Sequence, residues 1–116
     1  MTPDNSELWF LPLGGCGEIG MNLNLFGHDG HWLMVDCGVT FEQGARGNRV
    51  QMPDPDLIAQ HCDKLVGLSA THAHQDHIGA IHLLWQHFKC PIYATQFTAH
   101  VVQTKLRREG CAAPVI

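Results

Sequence analysis

Apolar and polar residues alternate along the first third of the chain with the two-residue period of half-buried β-strands. Between residues 21 and 26, for example, Met21, Leu23 and Leu25 alternate with two asparagines. The segment Gly27-His28-Asp29-Gly30 then supplies the glycine and aspartate that favour a tight hairpin turn. The pattern therefore predicts strands over residues 8–13, 21–26 and 32–36, with the last two joined as a hairpin.

The pattern changes in the second half of the chain. Residues 65–71 form a short apolar segment that is typical of a buried strand. Beyond residue 76 apolar side chains recur at helical spacing, and Asp76 is a suitable N-cap for the predicted helix. A strand over residues 91–95 and a second helix over residues 97–109 follow, and Gly110 is expected to end that helix.

Other segments show no clear period. Residues 41–55 are rich in Gly, Arg, Asn and Pro and predict a long loop, whereas residues 57–62 predict a short helix. Residues 112–116 resemble the entry into a further strand. We therefore expect a single α/β unit, and we expect the 116 residues to be a piece of a longer protein.

Composition narrows the choice of protein class. Apolar residues make up 45% of the chain and charged residues 16%, which suits a folded globular protein. The formal net charge is −4, and the seven Lys and Arg residues are scattered, so no basic surface for nucleic acid is predicted. If the substrate is RNA, the basic groove must lie mostly outside these residues, or metal ions must supply the positive charge.

The cysteines and the N-terminus bear on the cellular compartment. The five cysteines are odd in number and contain no C-x-x-C pair, which favours free thiols in a reducing compartment. The first ten residues lack the apolar core of a signal peptide, and no apolar segment is long enough to span a membrane. We therefore expect a cytoplasmic protein.

The clearest chemical signal is a cluster of histidines after the predicted strand at residues 65–71. His72 and His74 lie two apart in an extended segment and so point to the same side. Asp76 and His77 follow at the start of the helix and can face the same space. Imidazole and carboxylate are ligands that zinc prefers, so four donors within six residues predict a metal site. The alternative is a polar helix start with solvated histidines.

Two metal ions fit this spacing better than one. The adjacent Asp76 and His77 cannot easily join the two earlier histidines around a single tetrahedral ion. They can serve a second ion nearby, and the Asp76 carboxylate would then be placed to accept a proton from a water molecule between the ions. Asp76 is therefore the candidate catalytic residue.

The stretch T-H-A-H-Q-D-H-I-G at residues 71–79 resembles the second conserved motif of the metallo-β-lactamase fold. The resemblance implies that His72 and His74 hold the first ion and that Asp76 and His77 hold the second. It also implies that Asp36 orients the ligand segment by hydrogen bonds. Considered alone, Asp36 before a glycine is more often a turn residue.

Three further stretches resemble the ribonuclease J family. They are P-L-G-G-C-G-E-I-G-M-N at residues 12–22, V-D-C-G-V-T-F at residues 35–41 and C-P-I-Y-A-T-Q-F-T-A-H-V-V-Q-T-K-L-R-R-E-G at residues 90–110. The likeness extends over residues 8–110. Two features depart from the family pattern: Gln75 occupies a position where the family often has glutamate, and residues 44–52 fit less clearly.

The resemblance implies roughly the N-terminal half of an αββα sandwich, with the rest of that domain and the RNA-binding domains lying beyond this chain. It implies a metal-dependent ribonuclease with 5′-to-3′ exonuclease and endonuclease action, in which zinc-activated water attacks a phosphodiester. Two Zn²⁺ ions are implied, with Mn²⁺ or Mg²⁺ as alternatives, together with RNA as partner and a homo-oligomer. The resemblance does not identify substrate-binding residues in this chain.

Three functions stay open at this point. The first is a nuclease of the ribonuclease J type, of which these residues alone would be inactive and would expose an apolar sheet face. The second is another hydrolase of the same fold, such as a thioesterase or a glyoxalase II-like enzyme. The third is a non-catalytic metal-binding module.

Overall fold

The structure is a computed structural model that describes residues 3–44 and 47–116. Its strands are, in chain order, β1 (Trp9–Gly14), β2 (Leu23–His28), β3 (His31–Val35), β4 (Thr40–Gly44), β5 (Gly47–Gln51), β6 (Leu65–Ala70) and β7 (Ile92–Ala94). Five of them form one sheet in the order β1-β2-β3-β6-β7. The first three strands are antiparallel, whereas β3, β6 and β7 are parallel, as expected when helices connect them.

The helices are α1 (Asp56–Gln60), α2 (Gln75–Ile78), α3 (Ile81–Phe88) and α4 (Gln96–Arg108), with a 3₁₀ turn at Cys62–Lys64. They pack on one face of the sheet and form a single core with it. Its buried members from the sheet include Leu23, Leu25, Met34, Leu68 and Ile92. None of the helices in the described ranges has the length and apolarity that a bilayer crossing requires.

The opposite face of the sheet carries exposed apolar side chains. Phe10, Phe26 and Leu33 lie directly opposite one another across β1, β2 and β3 and are 52%, 37% and 36% exposed. The rings of Phe10 and Phe26 contact each other, with centroids 5.2 Å apart. This row is the exposed apolar sheet surface that the sequence predicts.

Two predictions of local structure are wrong. Residues 41–55 do not form a continuous loop, because β4 and β5 pair as an antiparallel hairpin, although residues 45–46 at its tip lie outside the described residues. Asp76 is not the N-cap of a long helix. The N-cap is His74, and α2 ends after Ile78 because the Ala80 amide donates to the carbonyl of Cys37 instead of continuing the helix.

Other expectations are confirmed. The second long helix ends where predicted, and Gly110 follows it with a φ of 71°, a conformation that favours glycine. Val115 forms a parallel bridge with Ile92, which agrees with the predicted strand entry after residue 112. The cysteines with described side chains are unpaired; they are Cys16, Cys37, Cys90 and Cys111.

Neighbouring residues on β2 provide a test of the two sheet faces. Replacing Leu25, which is 4% exposed, by alanine should lower the free energy of unfolding by about 2–5 kcal/mol, because it opens a cavity in the core. Phe26→Thr should change it by about 1 kcal/mol or less, since the side chain is half-exposed and threonine suits a strand. Denaturant unfolding measures both values, and light scattering should show reduced self-association of Phe26→Thr. Equal destabilisation by the two variants would contradict this assignment of faces.

Candidate metal centre

The histidine segment lies where β6 ends. Because β3 and β6 are parallel neighbours, their carboxyl ends meet at the same edge of the sheet. Asp36 follows β3 and Thr71 follows β6, so two residues that are 35 apart in sequence become adjacent in space. The candidate ligands lie immediately beyond Thr71, in the turn that leads into α2.

The carboxylate of Asp36 is the hydrogen-bonding hub of the site. It is only 4% exposed and accepts three hydrogen bonds: from the Thr71 amide at 2.8 Å, from the Thr71 hydroxyl at 2.9 Å and from Nδ1 of His77 at 2.7 Å. Its φ of 64° lies in the left-handed region, which aspartate tolerates better than most residues. A buried carboxylate is costly unless it is hydrogen-bonded, so these three donors offset the cost of burying Asp36.

The same carboxylate determines the tautomers of two histidines. A carboxylate only accepts hydrogen bonds, so the single hydroxyl proton of Thr71 is donated to Asp36. Thr71 Oγ1 must then accept from Nδ1 of His72, which lies 2.9 Å away. His77 donates its own Nδ1 proton to Asp36. The hydrogen bonds thus favour, in each ring, the tautomer with its proton on Nδ1 and its lone pair on Nε2, which is a form that binds metals.

The four candidate ligands lie close together. The ring centroids of His72 and His77 are 4.1 Å apart, and those of His72 and His74 are 4.6 Å apart. Nε2 of His77 lies 3.4 Å from Oδ2 of Asp76, whose side chain is 40% exposed. The structure thus brings together all four residues that the sequence singled out, although their role as ligands stays a prediction.

Proximity alone does not complete a ligand set. Within residues 3–44 and 47–116, no three His, Cys, Asp or Glu side chains are arranged so that they could hold one ion. The donor chemistry and the lone pairs of His72 and His77 fit a divalent metal, but the side-chain geometry has not closed around a common point. The neighbouring Cys37 is an unsuitable ligand, because burial raises the pKa of its thiol and keeps it protonated.

The single turn of α2 is held by backbone hydrogen bonds from outside the helix. Three successive carbonyls of α2 accept them, in the pairs Val39 N to Gln75 O (3.1 Å), Asn22 N to Asp76 O (3.0 Å) and Cys37 N to His77 O (2.8 Å). Gly38 allows this close approach, because a Cβ there would overlap the carbonyl of Asp76. The ligand segment is therefore docked against the connection between β3 and β4.

Asn22 is a site residue that the sequence analysis did not identify individually. Its side-chain Nδ2 donates to the carbonyl of Asp76 at 3.0 Å and lies 3.4 Å from Nε2 of His77. Gly15, with a φ of 83°, leaves room for this side chain, because a Cβ there would overlap Oδ1 of Asn22. The glycine-rich segment thus makes space beside the site, and its position before Asn22 was the only signal in the sequence.

The chain is similar to known proteins over most of its length. A family model described as the metallo-beta-lactamase superfamily matches residues 20–108. A ribonuclease J of Sinorhizobium meliloti is 47% identical over 106 residues, which cover 87% of this chain and 19% of that relative. A ribonuclease J of Mycolicibacterium smegmatis is 42% identical over 97 residues, covering 82% and 17%, and one of Helicobacter pylori is 35% identical over 100 residues, covering 85% and 14%. The chain spans about a fifth or less of the length of these relatives.

Substitution of Asp36 by asparagine should change the histidine tautomers. The NH₂ group of asparagine would take the place of an oxygen that now accepts a hydrogen bond from Nδ1 of His77. Because NH₂ is a donor, it favours Nδ1 of His77 as an acceptor, and the ring proton moves to Nε2. Long-range ¹H–¹⁵N spectra of the metal-free protein distinguish the two tautomers directly. An unchanged His77 tautomer in a folded Asp36→Asn protein would contradict this assignment.

Gly38 provides a second test of the docked backbone. Gly38→Ala should lower the free energy of unfolding by about 1–3 kcal/mol, because the added Cβ would meet backbone atoms of α2 that cannot move independently. Gly67→Ala is the matched control, since the nearest atoms to its Cβ belong to the ring of Tyr93, which is 43% exposed and can rotate away. Denaturant unfolding should give Gly38→Ala a clearly lower free energy of unfolding than the control. The reverse order would show that the close approach of the two backbones at Gly38 does not limit stability.

Proposed function

The chain belongs to the metallo-beta-lactamase superfamily, and on that premise we propose that it forms part of a metal-dependent ribonuclease that resembles ribonuclease J. The identity of 47% over 87% of the chain supports this choice among the many activities of one fold. The chain covers only about a fifth or less of each of these relatives, which supports the proposal that it is part of a longer protein. Further regions of that protein would complete the site and bind RNA. The net charge of −4 fits RNA binding through those regions.

The proposed metal ligands are His72 and His74 for one ion and Asp76 and His77 for a second. The single observation that carries the proposal is the buried Asp36 carboxylate, which leaves Nε2 of His72 and His77 available on adjacent rings. Zn²⁺ suits these donors, and Mn²⁺ or Mg²⁺ are alternatives. When bound, such ions lower the pKa of a bound water toward about 7 and stabilise negative charge on a phosphodiester.

The residues of the proposed site have distinct roles. Asp36 and Thr71 orient two imidazoles, and Asn22 holds the carbonyl of Asp76. Asp76 accepts a proton from the attacking water at its half-exposed carboxylate, which is the candidate catalytic group. His74, the exposed N-cap of α2, lies beside His72 and is the second proposed ligand of the first ion.

A non-catalytic metal-binding module stays the alternative. The clustered donors His72, His74, Asp76 and His77 would bind metal in it without turnover of a substrate. We expect the isolated 116 residues to lack ribonuclease activity. We also propose a cytoplasmic homo-oligomer for the complete protein, which solution mass and cell fractionation would test.

The complete protein tests the proposal through two ligand variants. His74→Ala and Asp76→Ala should reduce bound zinc, and Asp76→Ala should slow cleavage of 5′-monophosphorylated RNA by about 10²–10⁴-fold. His87→Ala is the matched control, because His87 is an exposed histidine of α3 outside the cluster, and it should retain zinc and activity. Metal analysis and an RNA cleavage assay measure both effects.

Three results would redirect the assignment. Unchanged zinc content and RNA cleavage in both ligand variants would remove the metal centre from the proposal. Cleavage of a thioester without cleavage of RNA would assign the protein to another hydrolase of the superfamily. Zinc binding without turnover of either substrate would favour the non-catalytic module.

A further inference from the structure

We propose that Lys105 is a positioning residue for the metal-binding segment and acts through its hydrogen bond to the side chain of Gln75; this inference rests on the proposed function. Lys105 lies in α4, and Gln75 is the first residue of α2. The Lys105 ammonium donates to Oε1 of Gln75 at 2.6 Å, across a sequence separation of 30 residues. The bond thus connects a long helix to the turn that carries the candidate ligands.

Gln75 is a junction between three parts of the protein. Its carbonyl accepts hydrogen bonds from the amides of Val39 at 3.1 Å and Gly79 at 2.8 Å. Its side chain fits where Gly79 lacks a Cβ, since a Cβ there would lie 2.9 Å from Oε1. Lys105 adds the third connection, so the position of Gln75 depends on the β3–β4 connection, on the end of α2 and on α4.

The location of Gln75 explains why this bond affects the ligands without touching them. Gln75 lies between His74 and Asp76 in the chain, but its side chain points toward α4. Any shift of Gln75 therefore moves both neighbouring ligands. The ammonium of Lys105 itself lies on the α4 side of the segment, where it contacts the side chain of Gln75. Helix α2 has only four residues, too few for a helix to be stable by itself, so it depends on contacts of this kind.

The surroundings of Lys105 favour the bond. Lys105 and Gln75 are both half-buried and line a cavity of about 350 Å³ together with His82. Partial burial of the ammonium lowers the pKa of Lys105, and the positive charge of the nearby Arg108 lowers it further. A donor with reduced access to water gains more from a fixed acceptor such as Oε1 of Gln75.

The experiment compares Lys105→Met with Arg108→Met in the complete protein. Both variants remove one positive charge from α4 beside the same cavity, but only Lys105 donates to Gln75. Lys105→Met should weaken zinc binding by about 10-fold or more, the effect typical of residues that orient metal ligands, as measured by competition with a chromophoric chelator. Arg108→Met should leave the zinc affinity unchanged.

A double-mutant cycle distinguishes positioning from a general loss of stability. Gln75→Met removes the acceptor, so it should weaken zinc binding as much as Lys105→Met, and the double variant should be no weaker than either single variant. Independent, additive effects would overturn the proposal, as would equal losses in Lys105→Met and Arg108→Met. Lys105→Arg, which keeps a donor, should recover most of the affinity.

Hydrogen exchange tests the inference without any metal. The amides of Val39 and Gly79 both donate to the Gln75 carbonyl, so Lys105→Met should speed their exchange by about 10-fold in the metal-free protein, whereas Arg108→Met should not. If the unaltered protein binds no zinc, the proposed function fails and this exchange result alone decides the inference. Exchange rates equal to those of the unaltered protein would overturn it.

Discussion

The buried carboxylate of Asp36 is the constraint on which the whole site depends. Hydrogen bonds to a charged group contribute about 1.5–3 kcal/mol each, and leaving a buried charge without its donors costs more than any one of them. Asp36 can therefore be buried at the end of β3 only if Thr71 and His77 stay in place. The hydrogen bonds that stabilise the junction of two strands also set which ring nitrogen of His72 and His77 keeps its lone pair.

The second constraint is the docking of α2. A helix of one turn gains little from its own hydrogen bonds, so three of its carbonyls use amides from the β3–β4 connection and from Asn22 instead. Gly38 keeps the two backbones close, and Gln75 connects the turn to α4. Long-range contacts thereby set the backbone geometry of α2, so the fold rather than local helix propensity places the candidate ligands.

The sequence predicted the parts of this arrangement that depend on local pattern. The alternation in β2 and β3, the apolar β6 and the end of α4 at Gly110 all follow from residue type and spacing. The four candidate ligands were also evident, because they lie within six residues. The break between α2 and α3 was not evident, since it arises when the Ala80 amide donates to Cys37, and Asn22 lies 54 residues from its partner Asp76. No local pattern carries such information.

These constraints separate the fixed part of the centre from the adjustable part. The backbone of α2 and the rings of His72 and His77 are held by hydrogen bonds, whereas His74 and the carboxylate of Asp76 reach into solvent. Ordering those two exposed side chains carries an entropic cost that the rings already held by hydrogen bonds do not. In the proposed centre, binding of an ion would therefore also require that these two exposed side chains become ordered. The described residues thus fix two imidazoles and leave two donors adjustable, which agrees with the proposal that further regions of a longer protein complete the centre.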